Sequence, residues 1–414
     1  MKRLFAVAVC TALVAGAATA TAAASPQRIP LPNVTVTPTL LTPWAYTGSG
    51  SSVSPNFVQG IKNADAPDEY YIVGTSGKTN SDGGFGVVYE GPVDGGSTAD
   101  GPGSGTWTPM SVPASFNATA TSIYGVNNLA GSDVQLVGTY SAAPTGGSRL
   151  GTTYGFFYEG PVTGTSSDAD WVSVQAVGRD HRHRDKPADQ TYLHSVDGSG
   201  PVVGNYDFFS EKEPAGHAFM WDPVTHKQTD IKWKDRGRTH TAYGIWSNGP
   251  SAWAGGHPTS TITGGVGIGG GRKALVRGQH AEALGRAVLI DYDSVTGKFL
   301  HERTYTYLNS KEFVTHFEGV YVRPDGSYQM PFLTVNLRTQ ETHAGLALVT
   351  RDGRGNFSKR AQWLTFSSAD GDYMTNNSTY GPISIGVFKP TTGSAGPYAN
   401  VLDPCLSVPR RALC

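Results

Sequence analysis

Three features of the 414-residue sequence predict an all-β fold built as a β-propeller. The pentapeptide Tyr89-Glu90-Gly91-Pro92-Val93 returns unchanged as Tyr158-Glu159-Gly160-Pro161-Val162, and self-similarity over tens of residues marks a repeat architecture. Gly (53) and Pro (26) punctuate the whole chain, while Val, Thr, Tyr and Phe fill its apolar runs, the pattern of short strands and tight turns. No helix-length period is present, and the one helical stretch, 279–284, is too short to be stable alone.

The ends set the compartment. Lys2-Arg3, an apolar run over 4–14 and the small-residue site Ala22-Ala23-Ala24 read as a secretory signal peptide over 1–24. The expectation is a secreted, extracellular protein and a monomer, with no later run long enough to span a bilayer as a helix. A formal net charge of -1 argues against nucleic acid as a partner, since such binding rests on summed positive charge. Of the three cysteines, Cys10 falls in the signal, leaving Cys405 and Cys414. In an oxidising compartment these two are expected to form a disulfide that closes a tail over 405–414.

Between the ends, each repeat unit holds four strand candidates. The expected blades run over 55–113, 119–178, 190–235, 239–308, 314–367 and 374–404 of a single domain, 25–404. In the fourth unit the strands are expected at 241–246, 252–255, 287–292 and 298–304, with 258–273 as a looped insert. Further inserts are 95–105, 144–150 and 179–189. The sixth unit has three strand candidates, at 378–382, 384–388 and 398–402. The stretch 34–43 carries the alternation Val34-Thr35-Val36-Thr37 and resembles the outer strand Trp363-Leu364-Thr365-Phe366. An N-terminal strand that completes the last blade closes the ring and leaves no raw sheet edge, so six four-stranded blades closed by 34–43 are expected.

The second unit carries Tyr124-Gly125-Val126-Asn127-Asn128, then Leu136-Val137-Gly138-Thr139-Tyr140, then Gly155-Phe156-Phe157-Tyr158, and the third carries His217-Ala218-Phe219. This succession resembles the extracellular HAF repeat family, most closely in units one to three. The resemblance implies a secreted, propeller-like repeat protein. It brings no established activity and no catalytic residues.

Chemistry is sought in a column of the first strands: Gln59, Tyr124, His194, Tyr243, Glu318 and Tyr380, followed by Gly60, Gly125, Ser195, Gly244, Gly319 and Gly381. If these strands are innermost, the small residues let them crowd together, and the column becomes a convergent polar set, the candidate ligand-binding site. The competing reading packs these side chains between blades, each polar atom satisfied by a neighbour. Glu318 and His194 stand out as a candidate acid and base. Glycoside hydrolysis asks for two carboxylates, and a second is found only off the column, at Asp197, Asp207 or Asp325. Asp197-Gly198 and Asp325-Gly326 read more simply as hairpin turns.

Other clusters read as structure. His181 and His183 could hold a divalent metal, but Arg182 and Arg184 repel a cation, and the stretch reads as a solvated loop. The glycine-rich 264–271 lacks a following Gly-Lys-Ser/Thr, so it reads as a hairpin tip and not as a phosphate loop. No cofactor and no metal are expected. Trp246 and Trp253 are candidates for a glycan platform, and Asn33, Asn117, Asn356, Asn376 and Asn377 head glycosylation sequons. The first expectation is therefore a secreted, non-enzymatic binding or scaffold protein with a glycan or protein ligand. The alternative is an extracellular polysaccharide-acting hydrolase or lyase that uses a channel carboxylate.

Overall fold

The computed structural model describes residues 34–36, 46–48, 51–53 and 55–401, apart from the segments 78–83, 94–104, 130, 132, 144–150, 163–166, 179–184, 199, 209–215, 232–239, 268–284, 367–370 and 391–395. The expected signal peptide over 1–24, the helical stretch 279–284, His181, His183 and the Cys405–Cys414 pair all lie outside the described residues. Within them the fold is all-β, as expected: strands joined by turns and single turns of 3₁₀-helix, with no α-helix.

Apart from the two-stranded pairs Tyr46–Gly48 with Ser51–Val53 and Val177–Gly178 with Lys186–Pro187, the strands group into successive antiparallel units, numbered here as sheets one to six although two and three are joined in one eight-stranded sheet. Sheet one holds Pro55–Asn63, Glu69–Ser76, Phe85–Pro92 and Thr106–Met110 in chain order, and sheet two holds Ala118–Asn128, Asp133–Ala142, Thr153–Pro161 and Trp171–Val174. Sheet three holds Gln190–Ser195, Val202–Asp207, His217–Trp221 and Gln228–Asp230, tied to sheet two by one parallel pairing of Thr153 with Gln190. Sheet four holds His240–Ser251, His257–Gly267, Gly285–Asp293 and Lys298–Tyr305. Sheet five opens with Phe313–Phe317 and the short Tyr321–Val322, both on Tyr328–Asn336, and continues through Thr342–Val349 to Gln362–Phe366. In sheet six Gly371–Met374 and Ser378–Tyr380 share one partner, Ile383–Pro390, which also pairs with Gly396–Val401.

The second and third strands are buried on both faces, as in Val202–Asp207, every residue of which is buried. Such strands must be covered above and below, and the cover is the next sheet. One apolar cluster joins Val73 and Val88 of sheet one to Ile123 and Phe156 of sheet two. Others join Val137 and Phe157 to Leu193 and Phe219, Val203 and Met220 to Ile245 and Ile262, and Leu289 and Tyr305 to Phe317 and Phe332. Between sheets five and six, Asn376 Nδ2 donates to the Gly345 carbonyl (2.8 Å) and Gln329 Nε2 to Thr379 Oγ1 (2.7 Å). The sixth sheet then lies against the first, Ile383 and Ile385 packing on Val58, Ile72 and Tyr89. Asn377 Nδ2 there donates to the Val58 carbonyl (2.7 Å).

The repeated pentapeptide has a packing role. The Tyr158 hydroxyl donates to the Pro161 carbonyl at 2.8 Å and the Tyr89 hydroxyl to that of Pro92 at 2.7 Å, so each ring folds along its own strand end. Trp171 and Trp107 cover these rings at centroid distances of 4.6 and 5.2 Å. A Cβ at Gly160 would stand 2.8 Å from the Tyr158 hydroxyl, and one at Gly91 2.9 Å from that of Tyr89. The glycine between glutamate and proline makes room for the phenol.

Two expected elements are corrected. Residues 252–255 are not a strand: Ala252–Ala254 form a 3₁₀ turn ended by Gly255 in the left-handed region. The second strand of sheet four is His257–Gly267, the stretch expected to loop out. Its Thr and Gly residues suit a central strand, because Thr259, Thr261 and Thr263 are buried and Gly264 lies directly over the Thr241 carbonyl. The glycine-rich run from Gly264 thus begins inside a sheet, not at a hairpin tip. The N-terminal strand also adds elsewhere. Val34–Val36 runs parallel to Gln362–Phe366, so it widens sheet five instead of completing sheet six. The register sets Val34 beside Leu364 and Val36 beside Phe366. The remainder of 34–43 lies outside the described residues.

Gly264→Ala would place a Cβ 1.9 Å from the Thr241 carbonyl oxygen and is expected to cost about 3 kcal/mol or more of unfolding free energy. Gly353→Ala, with nothing within 4 Å of its Cβ, should stay within about 0.5 kcal/mol of wild type. Urea midpoints of the two variants test the assignment of this strand.

Candidate active site

In sheets one to four the inner strand slips register between Val58 and Gly60, Ile123 and Gly125, Leu193 and Ser195, and Ala242 and Gly244. The residues passed over are Gln59, Tyr124, His194 and Tyr243, four members of the column. A bulged residue leaves the ladder and its side chain is re-aimed. The small residue that follows then meets the neighbouring strand. A Cβ on Gly60 would lie 3.1 Å from the Gly125 Cα, one on Gly125 3.0 Å from the Ser195 Cα, and one on Gly244 2.6 Å from the Gly319 Cα. In sheet five the ladder breaks after Phe317, the Glu318 N–H donates to the Pro331 carbonyl (2.9 Å), and pairing resumes at Tyr321. Glu318 therefore holds the same place.

Sheet six departs from the expected alignment. The small residues Gly60, Gly125, Ser195 and Gly244 pair with Val73, Val137, Val203 and Thr263, each just before a glycine of the second strand. Ser378 pairs with Ile385, just before Gly386. The column residue is thus Asn377. Tyr380 lies three residues on, level with Lys62, Asn127, Asp197, Trp246 and Tyr321. Gly381 is not a crowding residue either: it turns a hairpin at φ 56°, with nothing within 4 Å of a Cβ. The sequence placed Tyr380-Gly381 in the column because a turn glycine and a contact glycine read alike.

The inner strands of all six sheets line one central cavity of about 70 Å³. All six expected ligand-binding residues, Gln59, Tyr124, His194, Tyr243, Glu318 and Tyr380, border it, as does Asn377, the column residue of sheet six. None of the off-column carboxylates Asp197, Asp207 and Asp325 lines it. Asp325 is turn chemistry as expected, accepting from the Ser327 backbone N–H at 2.9 Å.

The two acid–base candidates have separate surroundings. Glu318 Oε1 lies 2.5 Å from Nε2 of His316, not His194. His316 lies in the strand and Glu318 just past the break in its ladder, so strand alternation in the sequence does not set the pair. The His316 side chain is 10% exposed and that of Glu318 21%, which puts the carboxylate in front and the imidazole behind it. His194 is stacked on Tyr124 (centroids 5.3 Å) and meets Tyr243 edge-on (4.6 Å). Burial drives its pKa down to about 3, outweighing a nearby Asn205 side chain that favours the imidazolium. His194 is therefore a neutral group near pH 7 and not an acid. Tyr243 also meets His316, at 5.7 Å, and so stands between the two histidines.

A second layer closes over the column. Lys62 pairs with Asp197, whose other oxygen accepts from the Ser247 N–H at 2.6 Å. The ammonium lies 4.6 Å from the Trp246 ring centroid and 5.5 Å from that of Tyr380. Tyr321 packs on both, 5.3 Å from Trp246 and 5.0 Å from Tyr380. Burial, with Tyr321 and Asp197 adding to it, raises the Tyr380 pKa to about 12, so its phenol stays protonated. Trp246 is thus engaged by Lys62 and two tyrosines and is not an open platform. Trp253 is likewise taken: the Arg351 guanidinium lies 4.6 Å over it and His301 meets it edge-on at 5.0 Å. Asn376 and Asn377 are buried and in the folded chain are closed to glycosylation, in contrast to exposed Asn117.

The shielding of His194 has a pH signature. In the unfolded chain the imidazole takes a proton near pH 6.5, but in the folded one only near 3. Between these values the unfolded state binds more protons, so the contribution is complete above about pH 6.5 and is lost as pH falls. The slope from this residue is at most about 1.4 kcal/mol per pH unit. His194→Gln should flatten the fall in unfolding free energy between about pH 7 and 4 by up to this slope, with His240, lowered to about 4 by burial, supplying a remainder. Denaturant midpoints across that range provide the measurement, and an unaltered slope would mean that His194 is not shielded.

No family model matches the chain, and no curated protein matches it in sequence. Solved structures similar to it include xylan β-1,4-xylosidase from Bacillus halodurans C-125, at 10% identity and TM-score 0.36 over 73% of this chain. This chain spans 55% of the xylosidase. The PL25 ulvan lyase bound to -[GlcA(1-4)Rha3S]- is similar at 9% identity and TM-score 0.37, over 86% of this chain and 82% of that one. The luciferin-regenerating enzyme is similar at 11% identity and TM-score 0.41, over 84% and 92%. These are likenesses of fold only. All three are enzymes, two of them named for polysaccharide chemistry. The expected non-enzymatic binding or scaffold protein has no counterpart among these three neighbours.

Proposed function

We propose that the chain is a six-bladed β-propeller that is exported from the cell and cleaves polysaccharide at its central cavity. The observation that carries the reading is Glu318, which lines a cavity bordered by the inner strands of all six sheets and is hydrogen-bonded at 2.5 Å to His316 behind it. In support of the propeller, each sheet packs on the next and the sixth on the first. The basic and apolar run before Ala24 supports export. In that compartment Cys405 and Cys414 pair to hold the tail, and the chain is a monomeric member of the HAF repeat proteins that it resembles.

The chemistry is hydrolysis: the glycosidic oxygen leaves with a proton from the carboxyl group, water adds at the anomeric carbon, and the proton that water gives up restores the acid. Glu318, the more exposed of the pair, moves the proton, and His316 orients its carboxyl group and shares the charge. The remaining carboxylate near the cavity, Asp197, is held by Lys62 and the Ser247 N–H. Buried and outside the cavity lining, it is not free to transfer a proton.

The test is incubation of the purified chain with linear arabinan, xylan and polyglucuronate, following new reducing ends and the ultraviolet absorbance of unsaturated products. Cleavage of at least one polymer is expected, with Glu318→Gln lowering kcat about 10²-fold or more and His316→Gln about 10-fold or more. Wild-type protein that leaves every polymer intact, or a Glu318→Gln variant as active as wild type, would remove the reading.

A further inference from the structure

We infer that the central cavity is a blind pocket that admits only the end of a sugar chain, which makes the protein a chain-end-acting enzyme; this rests on the polysaccharide reading above. Three observations lead there. The walls are complete, since residues of all six inner strands surround the cavity and adjoining strands touch where Gly60 meets Gly125 and Gly244 meets Gly319. A groove open at its sides would let a polymer lie across Glu318. This cavity has no open side among its described walls.

The second observation is a stopper. Lys62 belongs to sheet one, yet its ammonium pairs with Asp197 of sheet three and lies 4.6 Å from the Trp246 ring of sheet four and 5.5 Å from the Tyr380 ring of sheet six. A single group of sheet one that lines the cavity and reaches sheets three, four and six lies across it. The rings of Trp246 and Tyr380 approach each other to 6.3 Å around it. One end of the cavity is thereby closed, and a chain cannot thread through.

The third observation concerns what the pocket still lacks. Gln59 Oε1 and His194 Nε2, both on the cavity wall, are buried and make no hydrogen bond among the described residues. Buried polar atoms are normally paired. An amide oxygen that accepts and a neutral imidazole suit the hydroxyl groups of a terminal sugar, which both donate and accept. The cavity's 70 Å³ is smaller than the roughly 150 Å³ that holds a benzene ring, so the hydroxyl-bearing edge of that sugar enters and the rest of the chain stays outside.

The test uses the full chain on whichever of arabinan, xylan and polyglucuronate it cleaves, comparing released short sugars with polymer viscosity. Short sugars from the first minutes with viscosity falling slowly are expected. A collapse of viscosity ahead of sugar release would overturn the blind pocket and leave the polysaccharide reading standing, whereas no cleavage of any polymer would sink that reading and this inference with it. Lys62→Ala, checked for an intact thermal transition, should raise the ratio of internal to terminal cuts about tenfold, and an unchanged ratio would overturn the stopper. Gln59→Leu should raise KM about tenfold with kcat nearly unchanged, the pattern of lost binding. An unaltered KM would overturn its role as a hydroxyl partner.

Discussion

The structure depends on the contact between neighbouring inner strands at the small residue that follows each bulge. Where a Cβ on Gly125 would lie 2.7 Å from the His194 carbonyl, and one on Gly244 2.8 Å from the Gly319 carbonyl carbon, no larger side chain can be accepted without moving a whole sheet. The close approach sets the width of the cavity. The bulge just before it decides what faces the cavity, because the residue dropped from the ladder is the one left to project there. Architecture and site therefore share one device, and Gln59, Tyr124, His194, Tyr243 and Glu318 converge for the same reason that the sheets pack.

Polar ties hold the sheets in register where apolar packing alone would let them slide. Arg351 of sheet five grips Asp291 of sheet four with both guanidinium arms, at 2.7 and 2.5 Å, and donates to the Tyr328 hydroxyl at 2.7 Å and the Gly355 carbonyl at 2.6 Å. Phe357, Tyr328 and Trp253 enclose its plane at 3.8 to 4.6 Å. A buried ion pair of this kind contributes little net stability against an apolar substitute, but breaking it strands a charge. Its role is to specify one relative position of the two sheets. Asn377 does the same for sheets six and one, from 319 residues away in sequence, by satisfying a Val58 carbonyl that the bulge leaves without a ladder partner.

Two histidines of the inner strands show how position alone separates roles. His194 is enclosed by aromatic rings and held neutral by burial, which leaves it fit to pair with hydroxyl groups. His316 faces Glu318 at 2.5 Å, which leaves it placed to orient that carboxyl group. Neither role follows from residue type. Both follow from which neighbour the fold supplies.

The sequence by itself determined the class of fold and most of the column. Glycine, proline and β-branched residues act over a few neighbours, and a repeat states the same local answer again and again. It also located Glu318. Only the tertiary structure decided that Val34–Val36 joins sheet five, that His257–Gly267 is a central strand, that Asn377 and not Tyr380 completes the column, and that His316 is the partner of Glu318. Each of these turns on register or on contact between sheets distant in sequence. A glycine that turns a hairpin and a glycine that touches the next sheet are the same letter, and only the neighbour across the cavity tells them apart.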